Sequence, residues 1–130
     1  EQPLIGERLC KQYQLCGTPY RRGIIVGGST DCPVVTCNPF EGMYAAVTRL
    51  AADGKVYLPE EAVTARQALI MWTKNSAYFR HDEDKMGSIE VGNLADYVLI
   101  DTPVLEASPE EIRRTQVLKT FLGGRLVYQA

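Results

Sequence analysis

A single histidine, His81, is all the imidazole in this 130-residue chain. A protein-built zinc centre needs three or four converging ligands. His81 lies in the charged run His81-Asp82-Glu83-Asp84-Lys85 and reads as a solvated loop residue, not a ligand. Long apolar runs are also missing: none approaches the ~18 residues of a membrane span, and no signal-peptide pattern opens the chain. Neither sign of charge is in excess. Fourteen basic and 16 acidic residues leave a formal net charge of −2, which excludes the basic footprint of a nucleic-acid binder. The run Asp82, Glu83, Asp84 lacks the spaced oxygens and closing Glu of a calcium loop, so it could hold a hard cation only weakly. Cysteine is present without a pattern. Cys10, Cys16, Cys32 and Cys37 form no Cys-x-x-Cys pair. They read as reduced, half-buried thiols of a cytoplasmic protein, and a redox or metal-storage role finds little support in their spacing. Internal repeats and low-complexity segments are absent too.

What is there is the balance of an ordinary globular domain, 45% apolar and 23% charged, enough to bury a core. Ile5, Leu9, Gln12, Tyr13 and Cys16 share a helical face, and Gly17 supplies a stop. Residues 23–28 read as a short buried strand built on Ile24, Ile25 and Val26, followed by a polar loop over 29–38. A helix then starts with Asn38 as cap, Pro39 at its first position and Glu41 placed for a capping box. Phe40, Met43, Tyr44, Val47, Leu50 and Ala51 repeat at helical spacing until Asp53-Gly54. The next helix starts at Thr64, with Gln67 completing a capping box, and runs to about Phe79. Its Met71 and Trp72 read as core.

After Gly87 the period changes from helix to strand. Ile89 and Val91 alternate, a turn falls at Gly92-Asn93, and 97–100 reads as a buried strand. Ser108-Pro109-Glu110-Glu111 starts a short helix reaching about Arg114. Two β-rich runs, 117–122 and 125–128, flank Gly123-Gly124, which suits a two-residue hairpin turn. A β-α half over 1–80 is therefore followed by a β half over 81–130, with a hinge near 80–88.

The chemistry-bearing stretch is Gly27-Gly28-Ser29-Thr30-Asp31-Cys32-Pro33. A carboxylate just past the C-terminal end of a buried strand is where α/β barrels and sheets keep catalytic groups. Glycines there let a substrate approach the backbone. The plainer alternative for Asp31 is a local Asx turn or cap. Cys32 is adjacent, but a catalytic thiol wants a histidine or a cationic setting that the sequence does not offer. Tyr44, Arg49 and Trp72 are candidate substrate contacts, although helix packing accounts equally well for Tyr44 and Trp72.

Several stretches together resemble, in order, the C-terminal third of the YtcJ-like group of metal-dependent amidohydrolases. Gly28-Ser29-Thr30-Asp31-Cys32-Pro33-Val34 is similar to that group's Gly-Ser-Asp-x-Pro-Val. Asn38-Pro39-Phe40 and Tyr44-Ala45-Ala46-Val47-Thr48-Arg49 resemble the loop and helix that follow. Glu60-Glu61-Ala62-Val63-Thr64, Ala68-Leu69 and Thr73-Lys74-Asn75-Ser76-Ala77 resemble the next helical segments. Residues 87–96 resemble the return to a β-domain, with Asp96 at a structural position, and 123–128 its last hairpin. The sequence departs from the pattern in an extra residue, Thr30, in Asn93 where Lys is common, and in lacking the His-x-His motif and later histidines.

The resemblance implies an α/β fold: the last strand and helices of a (β/α)8 barrel over 1–80, then C-terminal strands of a small β-sandwich (composite) domain over 81–130. It implies a divalent metal, usually zinc, held mainly by histidines in the full-length parent. Asp31 would be both metal ligand and the catalytic carboxylate that handles the proton of the attacking water. A metal lowers the pKa of its bound water toward ~7, and a neighbouring carboxylate can take that proton. The expectation is thus a C-terminal fragment of an amidohydrolase that cleaves non-peptide C–N bonds of a small-molecule substrate. Alone it would be inactive and bind no metal tightly. The alternative is a stand-alone, non-catalytic regulatory or interaction module derived from such an enzyme. Open strand edges would favour a homo-oligomer or association with the missing N-terminal part.

Overall fold

The computed structural model describes residues 12–130. Ile5, Leu9 and Cys10 lie outside them. Gln12 and Tyr13 sit in a turn and bend, not a helix. Gly17, expected to stop a helix, opens one: α1 spans Gly17–Arg21. A Cβ on Gly17 would stand 2.8 Å from the Glu61 carbonyl oxygen, so close packing is what calls for glycine here.

Helix α2, Pro39–Thr48, starts as its sequence dictates. Asn38 is extended, and its Oδ1 accepts the Phe40 N–H at 3.0 Å. Glu41 does not close a capping box; its carboxylate instead takes the Arg113 Nε–H at 3.0 Å. The helix ends at Thr48, short of Asp53-Gly54. Arg49 turns left-handed (φ 57°), and Leu50 bridges Val56 around a tight turn that contains Gly54. A 3-10 turn, Pro59–Glu61, leads to α3, Ala65–Trp72. Here the capping box is complete: Thr64 Oγ1 accepts the Gln67 N–H, and Gln67 Oε1 accepts the Thr64 N–H.

The helix expected to reach Phe79 is broken. Thr73 leaves helical geometry (φ −122°, ψ −90°), and α4 spans Lys74–Phe79. The cause is tertiary. The Met71 carbonyl, which a continuous helix would bond to its own ladder, accepts the Gly28 N–H at 2.9 Å and the Ser76 Oγ–H at 2.9 Å.

Strands β1 (Tyr97–Ile100), β2 (Val117–Leu122) and β3 (Arg125–Gln129) form one antiparallel sheet in the order β1-β2-β3. The hairpin forms as expected: Leu122 pairs with Arg125, and Gly123 (φ 56°) and Gly124 (φ 76°) supply the two positive-φ positions of a primed turn. Asp96 Oδ1 accepts the Gly123 N–H at 2.6 Å, so Asp96 ties the turn to the chain just before β1. Strand β1 is present but not buried, with Val98 and Leu99 about half exposed. Ile89 and Val91 join no strand and are fully exposed. The turn after them does form, with Asn93 N–H bonded to the Glu90 carbonyl. Between β1 and β2, α5 (Pro109–Arg114) carries the expected capping box of Ser108 and Glu111.

These pieces share a core. Phe40, Met43 and Ala46 of α2, Ala68 and Met71 of α3, Val104, and Ile112 of α5 form one buried cluster. Met43 and Ile112 are fully buried, which stabilises the fold by roughly 1.5–3 kcal/mol each. Tyr44 donates its hydroxyl to Glu110 at 2.8 Å, and Arg113 lies over the Tyr44 ring at 5.1 Å, joining α2 to α5. The result is a small mixed α/β unit whose core draws on residues from either side of 80–88.

Candidate functional site

The site is assembled from the segment before Asp31 and the helices that hold it. Residues 24–30 form neither helix nor ladder, and Ile24 and Ile25 are 58% and 41% exposed. The strand expected at 23–28 is therefore neither buried nor paired. A strand needs a neighbour to bond, and none of the described residues supplies a ladder. Helices supply the bonds instead: Asn75 Nδ2 donates to the Val26 carbonyl at 2.8 Å, Met71 accepts the Gly28 N–H, and Ser76 Oγ reaches the Gly28 carbonyl at 3.4 Å.

Both glycines are packed closely on one side by aromatic rings. A Cβ on Gly28 would stand 2.2 Å from the Trp72 ring, and one on Gly27 would stand 2.8 Å from the Phe79 ring. Trp72 is also wedged against Gly42, where a Cβ would stand 2.4 Å from its edge. Trp72 thus packs, as read from sequence. Its Nε1 is buried with no hydrogen-bond partner.

Asp31 follows this clamped segment in left-handed geometry, φ 52°, a region that Asp tolerates better than most residues. Its backbone is committed: the N–H donates to Ser29 Oγ at 3.2 Å and the carbonyl accepts the Val34 N–H at 2.8 Å. Its carboxylate is not. The side chain is exposed and makes no hydrogen bond or ion pair to another described residue. The plainer reading, an Asx cap by that carboxylate, therefore finds no bond here.

The other candidates are already engaged or dispersed. Cys32 and Cys37 are exposed free thiols, while Cys16 is buried and donates to the Glu61 carbonyl at 3.1 Å. Arg49 donates to the Tyr57 carbonyl at 3.2 Å and approaches Cys16 Sγ at 3.7 Å. Tyr44 is buried, and the carboxylate of Glu110 holds its phenol above the usual value. His81 is exposed. Asp82 is paired with Arg80 at 3.4 Å and Lys85 at 3.7 Å, which answers the acidic run with local cations. Among the described residues no three His, Cys, Asp or Glu side chains converge on a point that could hold a metal. A zinc ion needs three or four ligands, so residues 12–130 alone do not fit one. Among them, too, no helix is long and apolar enough to cross a membrane.

Sequence reasoning missed one buried carboxylate. Glu61 is 3% exposed and takes bonds from the Thr18 N–H at 2.7 Å and from the Thr18 hydroxyl, with Arg21 at 3.5 Å. Burial pushes this carboxyl up. The two Thr18 bonds and the Arg21 guanidinium outweigh that and hold it below the usual range. Its partners are remote in sequence, so no local pattern marked it. A shallow pocket of about 380 Å³ lies between the start of α2 and the sheet, lined by Cys37, Asn38, Thr115, Gln116 and Tyr128 among others; Asp31 does not line it.

With this geometry in hand, known proteins give a consistent comparison. The family model of the amidohydrolase family matches residues 3–128. The chain is 37% identical over 107 residues to the N-substituted formamide deformylase of Arthrobacter pascens, across 82% of this chain and 20% of that protein. It is 26% identical over 111 residues to the putative amidohydrolase YtcJ of Bacillus subtilis (strain 168), across 83% of this chain and 21% of that protein. Among solved structures it is similar to an amidohydrolase from Thermotoga maritima MSB8. The TM-score is 0.65 at 20% identity, covering 85% of this chain and 24% of that one. E. coli guanine deaminase gives a TM-score of 0.62 at 21% identity, covering 86% and 29%. These two likenesses speak to fold. The chain spans about a fifth of the length of the curated relatives it matches.

Proposed function

Because this chain belongs to the amidohydrolase family and is YtcJ-like, we propose that it is the closing part of a hydrolase that cleaves non-peptide C–N bonds, with Asp31 as the carboxylate it contributes. The observation that carries this reading is the contrast at Asp31 itself. The backbone is fixed by two hydrogen bonds and by the clamped segment before it, yet the carboxylate is exposed and uncommitted. A carboxylate so held can accept a proton from an attacking water and pass it to a leaving amine. The deformylase relative suggests N-substituted amides as the first substrate class to assay.

In this reading residues 23–28 are the last strand of a (β/α)8 barrel, and β1, β2 and β3 belong to its small β-domain. Exposed Ile24, Ile25 and Phe79 support that reading as surface meant for neighbours. The metal of such an enzyme, zinc by the chemistry of the family, would take its other ligands from outside residues 12–130. No step through it is derived from the residues at hand. The free thiols of Cys16, Cys32 and Cys37 support a reducing, cytoplasmic setting. The test is Asp31→Asn in a hydrolase that carries this segment. Turnover should fall by about 100-fold or more with the fold intact; full turnover would sink the proposal.

A second reading, a non-catalytic interaction module, draws on fully exposed Ile89 and Val91. It requires the chain to self-associate or to hold the remaining part of such an enzyme. A monodisperse monomer in light scattering that also fails to take up that part would count against it.

A further inference from the structure

The break between α3 and α4 sits where the segment before Asp31 touches both helices. We propose that Asn75, Ser76 and Trp72 are positioning residues for Asp31, a cradle that sets the register of residues 26–28 and so the place of the carboxylate beyond them. The inference rests on reading Asp31 as the reacting carboxylate.

Three constraints act together. Asn75 Nδ2 holds the Val26 carbonyl at 2.8 Å, which fixes the segment along its length. The Gly28 N–H is held by the Met71 carbonyl at 2.9 Å, and Ser76 Oγ, which donates its one proton to that same Met71 carbonyl at 2.9 Å, stands 3.4 Å from the Gly28 carbonyl. Trp72 blocks sideways motion, because its ring fills the space of the missing Cβ on Gly28 and is itself backed by Gly42. Neither the apolar periodicity of 65–79 nor its capping box calls for a break at Thr73. Interrupting a helix forfeits ladder bonds, each a net contribution of about 1 kcal/mol. That loss is offset in part by the bonds to residues 26–28. Asp31 lies three residues past Gly28, a reach of about 10 Å at most. A misplacement of about 1 Å at a reacting group can cost as much as 100-fold in rate, so register at Gly28 matters.

The test is amide hydrogen exchange by NMR on the full chain, with the chemical shift of the Asp31 carboxyl compared between variants at one neutral pH. Asn75→Ala should speed exchange at Gly28 by about 5–10-fold, the loss of one net hydrogen bond, and move the Asp31 carboxyl resonance. The amides of Ala68 and Ile112, bonded to Thr64 and Ser108, should stay within about twofold, well under the effect of one hydrogen bond. Ser76→Ala should behave like Asn75→Ala, while Ser76→Thr, which keeps the hydroxyl, should restore wild-type rates. Equal acceleration of every core amide would show a merely structural role and overturn the proposal. So would an unchanged Gly28 and Asp31. Should Asn75→Ala fail to fold, the wild type still decides: a Gly28 amide exchanging at the free-peptide rate overturns the cradle, and protection at Gly28 matched by rescue in Ser76→Thr supports it. Failure of the functional reading looks different, since full turnover in Asp31→Asn leaves this exchange pattern untouched.

Discussion

Two glycine pairs in this chain do opposite jobs. Gly123 and Gly124 supply backbone: both have positive φ, nothing lies within 4 Å of a Cβ built on Gly123, and the neighbour of Gly124 is at an easy 3.7 Å. Gly27 and Gly28 supply space, since a Cβ on either would run into an aromatic ring, and neither has positive φ. The difference teaches where a sequence can be read locally. A hairpin turn is settled by two adjacent residues and the strands beside them. A close approach is settled by its partner, and for Gly28 that partner is Trp72.

The largest expected effect comes from removing that partner. Trp72→Ala should lower stability by about 3 kcal/mol, the lower end for a Trp truncation because the ring is only partly buried, measured as a shift in urea midpoint. Gly28→Ala should cost about 1–3 kcal/mol by overpacking, and exchange at residues 26–31 should change with it. Gly124→Ala should cost about 1 kcal/mol through its positive φ, while Gly123→Asn should cost less, because Asn tolerates that region. A Gly28→Ala variant no less stable than Gly124→Ala would break the comparison. Smallest of all, Asp31→Asn should change stability by under about 0.5 kcal/mol, as befits an exposed side chain with no partner, even where it abolishes turnover.

Glu61 extends the lesson to charge. Its carboxyl is held below the ordinary value of 4.5 by Thr18 and Arg21 in spite of burial. A depressed folded value means that the stabilisation is complete above the unfolded value and is lost as pH falls through the folded one. Melting temperature should therefore drop on acidification below about pH 4.5, and Glu61→Gln should flatten that drop. An unchanged acid profile in Glu61→Gln would contradict the assigned bonds.

The same division explains what the sequence showed. The caps at Asn38, Thr64 and Ser108, and the turn at Gly123-Gly124, rest on residues within a few positions of one another, and each forms as read. What failed was decided at a distance. Residues 23–28 look like a strand, but a strand is completed by neighbours, and the described residues offer them only helices. The run 65–79 looks like one helix until Gly28 takes the Met71 carbonyl. Glu41 was placed for a cap, yet Arg113 on α5 claims it. At the candidate site, Asp31 was legible as a carboxylate in a glycine-marked loop. Its supports, Asn75 and Ser76, were visible in the sequence only as helix residues.

The central claim is that residues 12–130 bring one carboxylate to a hydrolytic site that other residues must complete. Metal analysis of the purified chain after equilibration with zinc, paired with an assay on an N-substituted formamide, tests it most directly. Zinc well below one per chain, with no turnover, is the predicted result. One zinc per chain together with turnover would contradict it.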